Sequence, residues 1–276
     1  MSISYFTGCT ALITGVTAGI GEELARELAP YAHTLILVAR RADRLEALEH
    51  ELLRDNAQLT IHTRAVDLAD EAQIDGLAQW VKDSGLNVNL LINNAGLGDH
   101  GEFANAEWPR VKQIIAVNIT ALTKLTWLLL PVLHHARPGA IINISSIASF
   151  FPVPNSAVYG ASKAFVTSLT EALRAELRGS GIRVTTVCPG PVDTEFGMVA
   201  SRADNARHTP PPEVLKIPAS QVAREALIAA SDDRPRVVPG LLNCLFTALA
   251  CALPMIIVRL VINSAARRSR EHDIAY

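Results

Sequence analysis

Strand-length apolar runs alternate with segments of helical period along most of the chain, and no other feature narrows the fold as sharply. The runs fall at 10–14, 34–39, 60–66, 89–93, 140–145, 182–188 and 236–238. Between them, apolar residues recur at helical spacing over 19–29, 42–55, 70–83, 107–136, 156–178 and 220–231. A run such as TLILVA at 34–39 shows no polar alternation, so both of its faces have to be covered. That describes a strand of a parallel sheet with helices on each side, not an antiparallel strand with one wet face. The order predicts an α/β, Rossmann-type doubly wound parallel sheet of about seven strands. With 276 residues, one domain is expected, its body at 1–240 and an apolar extension of the same domain at 241–276.

The formal charge is −2, with both signs spread along the chain. No basic field exists for nucleic acid, and a small-molecule partner is the better expectation. Cys9, Cys188, Cys244 and Cys251 form no CxxC pair, and the first two lie in apolar runs as small hydrophobes. The first basic residue is Arg26, so no cationic leader region is visible and a cytoplasmic location is expected.

After the run at 10–14 comes TGVTAGIG at 14–21, opening a helical segment. Gly15 permits a tight turn, Gly19 lets the backbone approach a pyrophosphate, and Gly21 allows close helix packing. The helix start offers N–H groups to an anion, so a dinucleotide site is predicted. An acid usually stands about 20 residues further on to hold the free ribose of a non-phosphorylated cofactor. Here Ala39 ends the strand and Arg40 and Arg41 follow. Two guanidiniums in place of a carboxylate favour the 2′-phosphate, hence NADP(H).

Within YGASK at 159–163, Tyr159 and Lys163 are four residues apart and share a helix face. Taken with TGVTAGIG, VDL at 66–68, NNAG at 93–96, VN at 117–118, NISS at 143–146 and CPGPVDT at 188–194, the chain resembles the short-chain dehydrogenase/reductase family over roughly residues 8 to 240. The resemblance implies a catalytic tetrad of Asn118, Ser146, Tyr159 and Lys163. In it the lysine lowers the phenol's pKa and bonds the nicotinamide ribose, the serine steadies the substrate oxygen, and the asparagine holds a water in the proton path. It further implies that Asp67 receives the adenine amino group and that Asn94 and Gly96 line the cofactor. Pro189, Gly190 and Thr194 would meet the nicotinamide end, and Ile20, Leu68, Ala95 and Val192 would complete the surface. Many NADP(H)-using members carry a basic residue where this chain has Ala18, which leaves the phosphate to Arg40, with Arg41 and the Thr17 hydroxyl as helpers. Ser145 competes with Ser146, since consecutive strand residues face opposite ways; the family pattern favours Ser146.

The resemblance implies hydride transfer between nicotinamide and a carbonyl or secondary alcohol, and a homodimer or homotetramer is expected. Phe150, Phe151, Val153, Phe196 and Met198 flank the motifs and suggest an apolar substrate, with ordinary core as their alternative role. A polar stretch at 191–218 reads as a substrate lid. Residues 241–258 contain no charge, and a basic cluster at Arg267, Arg268 and Arg270 follows. This extension admits a flap over the cleft, a dimer contact, a membrane-surface anchor or a span, although Pro254 should break any helix there into pieces too short to cross a bilayer. Two rivals accompany the soluble reductase: a membrane-associated ketoreductase of fatty acyl or sphingoid lipids, and an NADP(H)-binding sensor without turnover.

Overall fold

The computed structural model describes residues 3–202, 212–254 and 256–260. Its seven strands are β1 (Thr10–Thr14), β2 (Thr34–Ala39), β3 (Thr60–Ala65), β4 (Leu90–Asn93), β5 (Gly139–Ile144), β6 (Ile182–Val187) and β7 (Arg236–Val237). They form one sheet in the order β3-β2-β1-β4-β5-β6-β7, every pairing parallel. Register explains why the central runs lack alternation. Leu12 lies beside Ile36 and Leu91, Leu91 beside Ile141, and Ile141 beside Val184, so one apolar row crosses the sheet on a single face. The next residues, Ile13, Leu37, Ile92 and Ile142, make the matching row on the other.

Helices cover both rows. α1 (Gly19–Leu28), α2 (Ala42–Asp55) and α8 (Ala219–Ser231) seal the face of Ile13, through Leu24, Leu28, Leu45 and Leu227. α3 (Glu71–Asp83) and α5 (Leu122–His135) seal the face of Leu12, through Ile74, Leu77, Leu125, Leu129 and Leu133. α6 (Ala157–Glu176) packs along β5 and β6. The segment read as one helix at 107–136 is α4 (Trp108–Ile115), a π turn (Ala116–Ala121) and α5 in continuous succession. It is long and apolar enough to cross a membrane, but its apolar side is spent on the sheet.

The lid region contributes a short helix, α7 (Glu195–Ala200), and a 3-10 turn (Glu213–Leu215). Its central part, 203–211, lies outside the described residues, as do Arg267, Arg268 and Arg270. The extension forms α9 (Leu241–Ala252), about 18 Å long, and its helix ends before Pro254 as the sequence predicts. A bilayer's hydrocarbon core is about 30 Å thick, so the reading of 241–262 as one spanning helix is not sustained.

Candidate active site

In the sheet order, β1 and β4 are neighbours whose chains continue in opposite directions, which opens a crevice beyond their carboxyl ends. A cleft of about 910 Å³ occupies that place. Of the residues expected at the site, Gly15, Thr17, Gly19, Ile20, Arg40, Arg41, Asp67, Leu68, Asn94, Ala95, Gly96, Ser146, Tyr159, Lys163, Pro189, Gly190, Val192 and Thr194 all line it. Gly21 and Asn118 stand just behind the wall.

The glycine loop is fixed from below by Asn94, whose Nδ2 donates to the carbonyls of Thr14 at 2.9 Å and Gly15 at 3.0 Å. The Thr14 hydroxyl in turn accepts from the N–H groups of Asn94 and Ala95. Asn94 therefore braces the loop in addition to bordering the cleft. Gly15 has φ +72°, and a Cβ on Gly21 would lie 2.2 Å from the Gly15 oxygen and 2.3 Å from Asn94 Nδ2. Helix α1 starts behind Ala18, an N-cap with no side-chain oxygen, so no side chain caps its first N–H groups. A bare helix start facing a cleft fits a pyrophosphate.

The two arginines divide their work. Arg41 donates to the Thr17 carbonyl at 2.9 Å and the Thr17 hydroxyl at 3.3 Å, and pairs with Glu195 of α7 at 3.0 Å. It ties the glycine loop to the lid, with the Thr17 hydroxyl as part of the tie. Arg40, exposed on the rim, has no ion-pair partner among the described residues, while the nearby Arg110 feels its charge. With Ala39 where a ribose-binding acid would stand, the rim fits a 2′-phosphate. Asp67 Oδ1 accepts from the Ala69 N–H at 3.0 Å.

On the opposite wall, α6 presents Tyr159 and Lys163 on one face. Ser145 turns away, its hydroxyl donating to the Lys163 carbonyl at 2.9 Å and lying 2.7 Å from Thr167 Oγ1. Ser146 lines the cleft with Tyr159 and is near enough to pull its pKa down, and with the Ser145 hydroxyl taken up by α6 this favours Ser146 of the two. Lys163 is buried, donates to the Ile144 carbonyl at 2.8 Å, and sits 5.8 Å from the Tyr159 ring centre. Burial lowers it to about 8, with Cys188 opposing, so it still carries its charge at neutral pH. Tyr159, half-buried at the cleft, is pushed upward by desolvation, opposed by its bond to Ser146 and assisted by Cys188. The resemblance implies a lowered phenol; in the protein alone desolvation raises it, and the Lys163 ammonium gives its hydrogen bond to the Ile144 carbonyl.

Asn118 lies in the π turn between α4 and α5, a device common at functional sites. Its Oδ1 accepts from the Leu97 N–H at 2.8 Å, and its Nδ2 donates to the Leu97 carbonyl and to Ser162 Oγ, each at 2.9 Å. The Asn118 amide thus ties the loop after β4, through Leu97, to α6, through Ser162. A Cβ on Gly96 would meet Lys163 Nζ at 3.3 Å and Asn118 Oδ1 at 3.5 Å, which places the two side chains together beneath that glycine.

At the substrate end, Val153, Phe196 and Met198 line the cleft, and the Phe196 ring lies 5.6 Å from that of Tyr159. Phe150 and Phe151 do not. Phe150 lies under the Arg236 guanidinium and Phe151 meets Phe246 of α9 edge-on. Unforeseen lining residues are Leu97, His100, Ser156, Val199 and Lys216. His100 Nδ1 is 2.7 Å from Ser156 Oγ, and Asp99 pairs two-pronged with Arg202 at 2.8 and 2.6 Å, closing the loop after β4 onto α7. The signal available in the sequence was position, since LGDHG at 97–101 follows a strand's carboxyl end. No residue of α9 lines the cleft, but its Asn243 packs against Gly190 behind the wall.

The family model for short chain dehydrogenases matches residues 9–205. The chain belongs to the short-chain dehydrogenase family. This short-chain dehydrogenase is 40% identical over 200 residues to sulfoacetaldehyde reductase 2 of Chromohalobacter salexigens, covering 71% of this chain and 77% of the relative. It is 37% identical over 203 residues to the NADP-dependent 3-hydroxy acid dehydrogenase YdfG of Salmonella typhi, covering 71% and 78%. A short-chain dehydrogenase from Sphingobium yanoikuyae, solved in complex with NADPH, shares the fold at a TM-score of 0.75 and 30% identity over 96% of both chains.

Proposed function

We propose that this short-chain dehydrogenase is an NADP(H)-dependent reductase of ketones or aldehydes bearing an apolar substituent, working reversibly on the corresponding alcohols. The observation that carries this reading is the convergence in one cleft of Ser146, Tyr159 and buried Lys163 with Arg40, which has no ion-pair partner among the described residues. The uncapped start of α1 and Gly15 and Gly19 would hold the cofactor's pyrophosphate, Arg40 its 2′-phosphate, and Asp67 its adenine end. When bound, the cofactor supplies or accepts the hydride.

The protein's own part is positioning and proton transfer. Ser146 holds the substrate oxygen beside the phenol, and Tyr159 gives that oxygen its proton. Lys163 keeps a positive charge behind the phenol, opposing the desolvation that holds the proton on it. Asn118 fixes Leu97 and, through it, the wall opposite Ser146. The apolar substituent would rest on Val153, Phe196 and Met198. Exposed Trp127 on α5 and Phe165 on α6 support association between copies.

A screen of ketones and aldehydes followed by NADPH absorbance, with Tyr159→Phe alongside, tests the reading. NADPH consumption with at least one apolar ketone, lost in the variant, is expected. NADPH binding without turnover across the panel favours the sensor reading.

A further inference from the structure

Helix α9 is built the wrong way round for a helix bathed in water. The residues it turns inward are Asn243 and Thr247, only 1% and 4% exposed, whereas Leu241, Leu245 and Leu249 are 75%, 57% and 66% exposed. A surface helix ordinarily buries its apolar stripe and wets its polar one. Here Asn243 Nδ2 donates to the Leu215 carbonyl at 3.0 Å, fastening the helix to the 3-10 turn at 213–215 by a polar tie. Most of the apolar surface remains outside, and Ile256, Ile257 and Leu260 extend it beyond Pro254. An exposed apolar patch of this kind marks an interaction surface.

Charge identifies what covers it. From residue 241 onward the chain carries four arginines, Arg259, Arg267, Arg268 and Arg270, against two acids, Glu271 and Asp273, a local net charge of +2 in a protein whose net charge is −2. Pairing between copies about a two-fold axis would bring this patch and its cations against themselves. An anionic surface would receive both the apolar face and the arginines. α9, about 18 Å long, is too short to span, which suits a helix lying in the plane of the interface. We propose that α9 and the turn after Pro254 dock this protein on a bilayer containing anionic phospholipid.

The docking does not depend on the reductase reading, and its test reads binding and not turnover. Purified full-length protein is floated with vesicles of phosphatidylcholine and phosphatidylglycerol, and with vesicles of phosphatidylcholine alone. Wild type should float with the anionic vesicles and much less with the neutral ones, since each arginine near the surface is worth roughly fivefold in binding. Leu245→Glu combined with Leu249→Glu alters two outward side chains and should leave the melting temperature unchanged. It should lower vesicle partitioning by at least about tenfold. Wild type that floats with neither vesicle, or a double variant that floats as well as wild type, overturns the proposal. So does a wild type that stays off vesicles but sediments as a larger species than the double variant, because the face would then be a contact between copies.

Discussion

Replacing Arg40 by alanine should cost NADPH far more than NADH, and the structure sets the size of the effect. A charge-assisted hydrogen bond contributes about 1.5 to 3 kcal/mol, or roughly tenfold to a hundred-and-fiftyfold in affinity. Arg40 is exposed on the rim, so solvent screening favours the lower end of that range. Arg41 cannot take over, because its guanidinium is already committed to Thr17 and to Glu195 at 3.0 Å. Ala39→Asp should go further, since a carboxylate at the end of β2 repels the phosphate and accepts from a free ribose hydroxyl. The assay is kcat/KM for both cofactors in wild type and each variant at one ionic strength, with cofactor Kd measured in parallel. An equal loss for both cofactors in Arg40→Ala, or a wild type that prefers NADH, refutes the role given to Arg40.

Tyr159→Phe should abolish turnover while leaving NADPH Kd within about twofold, because it removes the proton donor and leaves the glycine loop intact; appreciable residual rate would displace Tyr159 from that role. Lys163→Met tests the cost of a buried ammonium: a fall from 10.5 to about 8 amounts to on the order of 3 kcal/mol. The unfolded chain holds that proton more tightly, so the penalty is full below pH 8 and is relieved as pH rises from about 8 to 10.5. In cofactor-free protein, the melting temperature of wild type should therefore gain on that of Lys163→Met across this window, and a gap constant with pH would contradict it. Gly190→Ala should destabilise by about 1 to 3 kcal/mol, because its Cβ would meet Asn243 Oδ1 at 2.4 Å. Adding Asn243→Ala should restore part of the loss in denaturant titrations, and no rescue would mean that the strain lies elsewhere.

The sheet was legible because its central strands are buried on both faces, and runs such as Leu35 to Val38 can be nothing else. Two strands kept their expected limits and the other five shifted by one residue at one or both ends, where ladder hydrogen bonding and not hydrophobicity decides the end. The interruption of the long helix at 116–121 was not legible, since apolar residues recur at three- and four-residue steps straight through it, at Ile114, Val117, Ala121 and Leu125. Alternation showed that only one of Ser145 and Ser146 could face the cleft. Which one faced it depended on α6, whose Lys163 carbonyl and Thr167 hydroxyl take up Ser145. The same limit hid the fate of the arginines. Adjacent guanidiniums read alike in sequence, and the positions of Thr17 and of Glu195, 154 residues away, make Arg41 a brace, while Arg40 has no ion-pair partner among the described residues. Phe150 and Phe151 misled for a related reason, because irregular chain has no period from which to read direction.

The interlock of Gly15, Gly21 and Asn94 bears on how this protein can change over time. A methyl group at position 21 would stand 2.2 Å from a carbonyl oxygen, and one at position 15 would stand 2.8 Å from the Ala95 Cα. Neither obstacle is a flexible side chain that could swing aside, so single substitutions there cost the whole loop. Arg40 and Ala18 sit on the same cleft's rim with no such constraint. Variation is thereby channelled: the floor that grips any dinucleotide is frozen, and the few rim positions that distinguish one from another are free to drift.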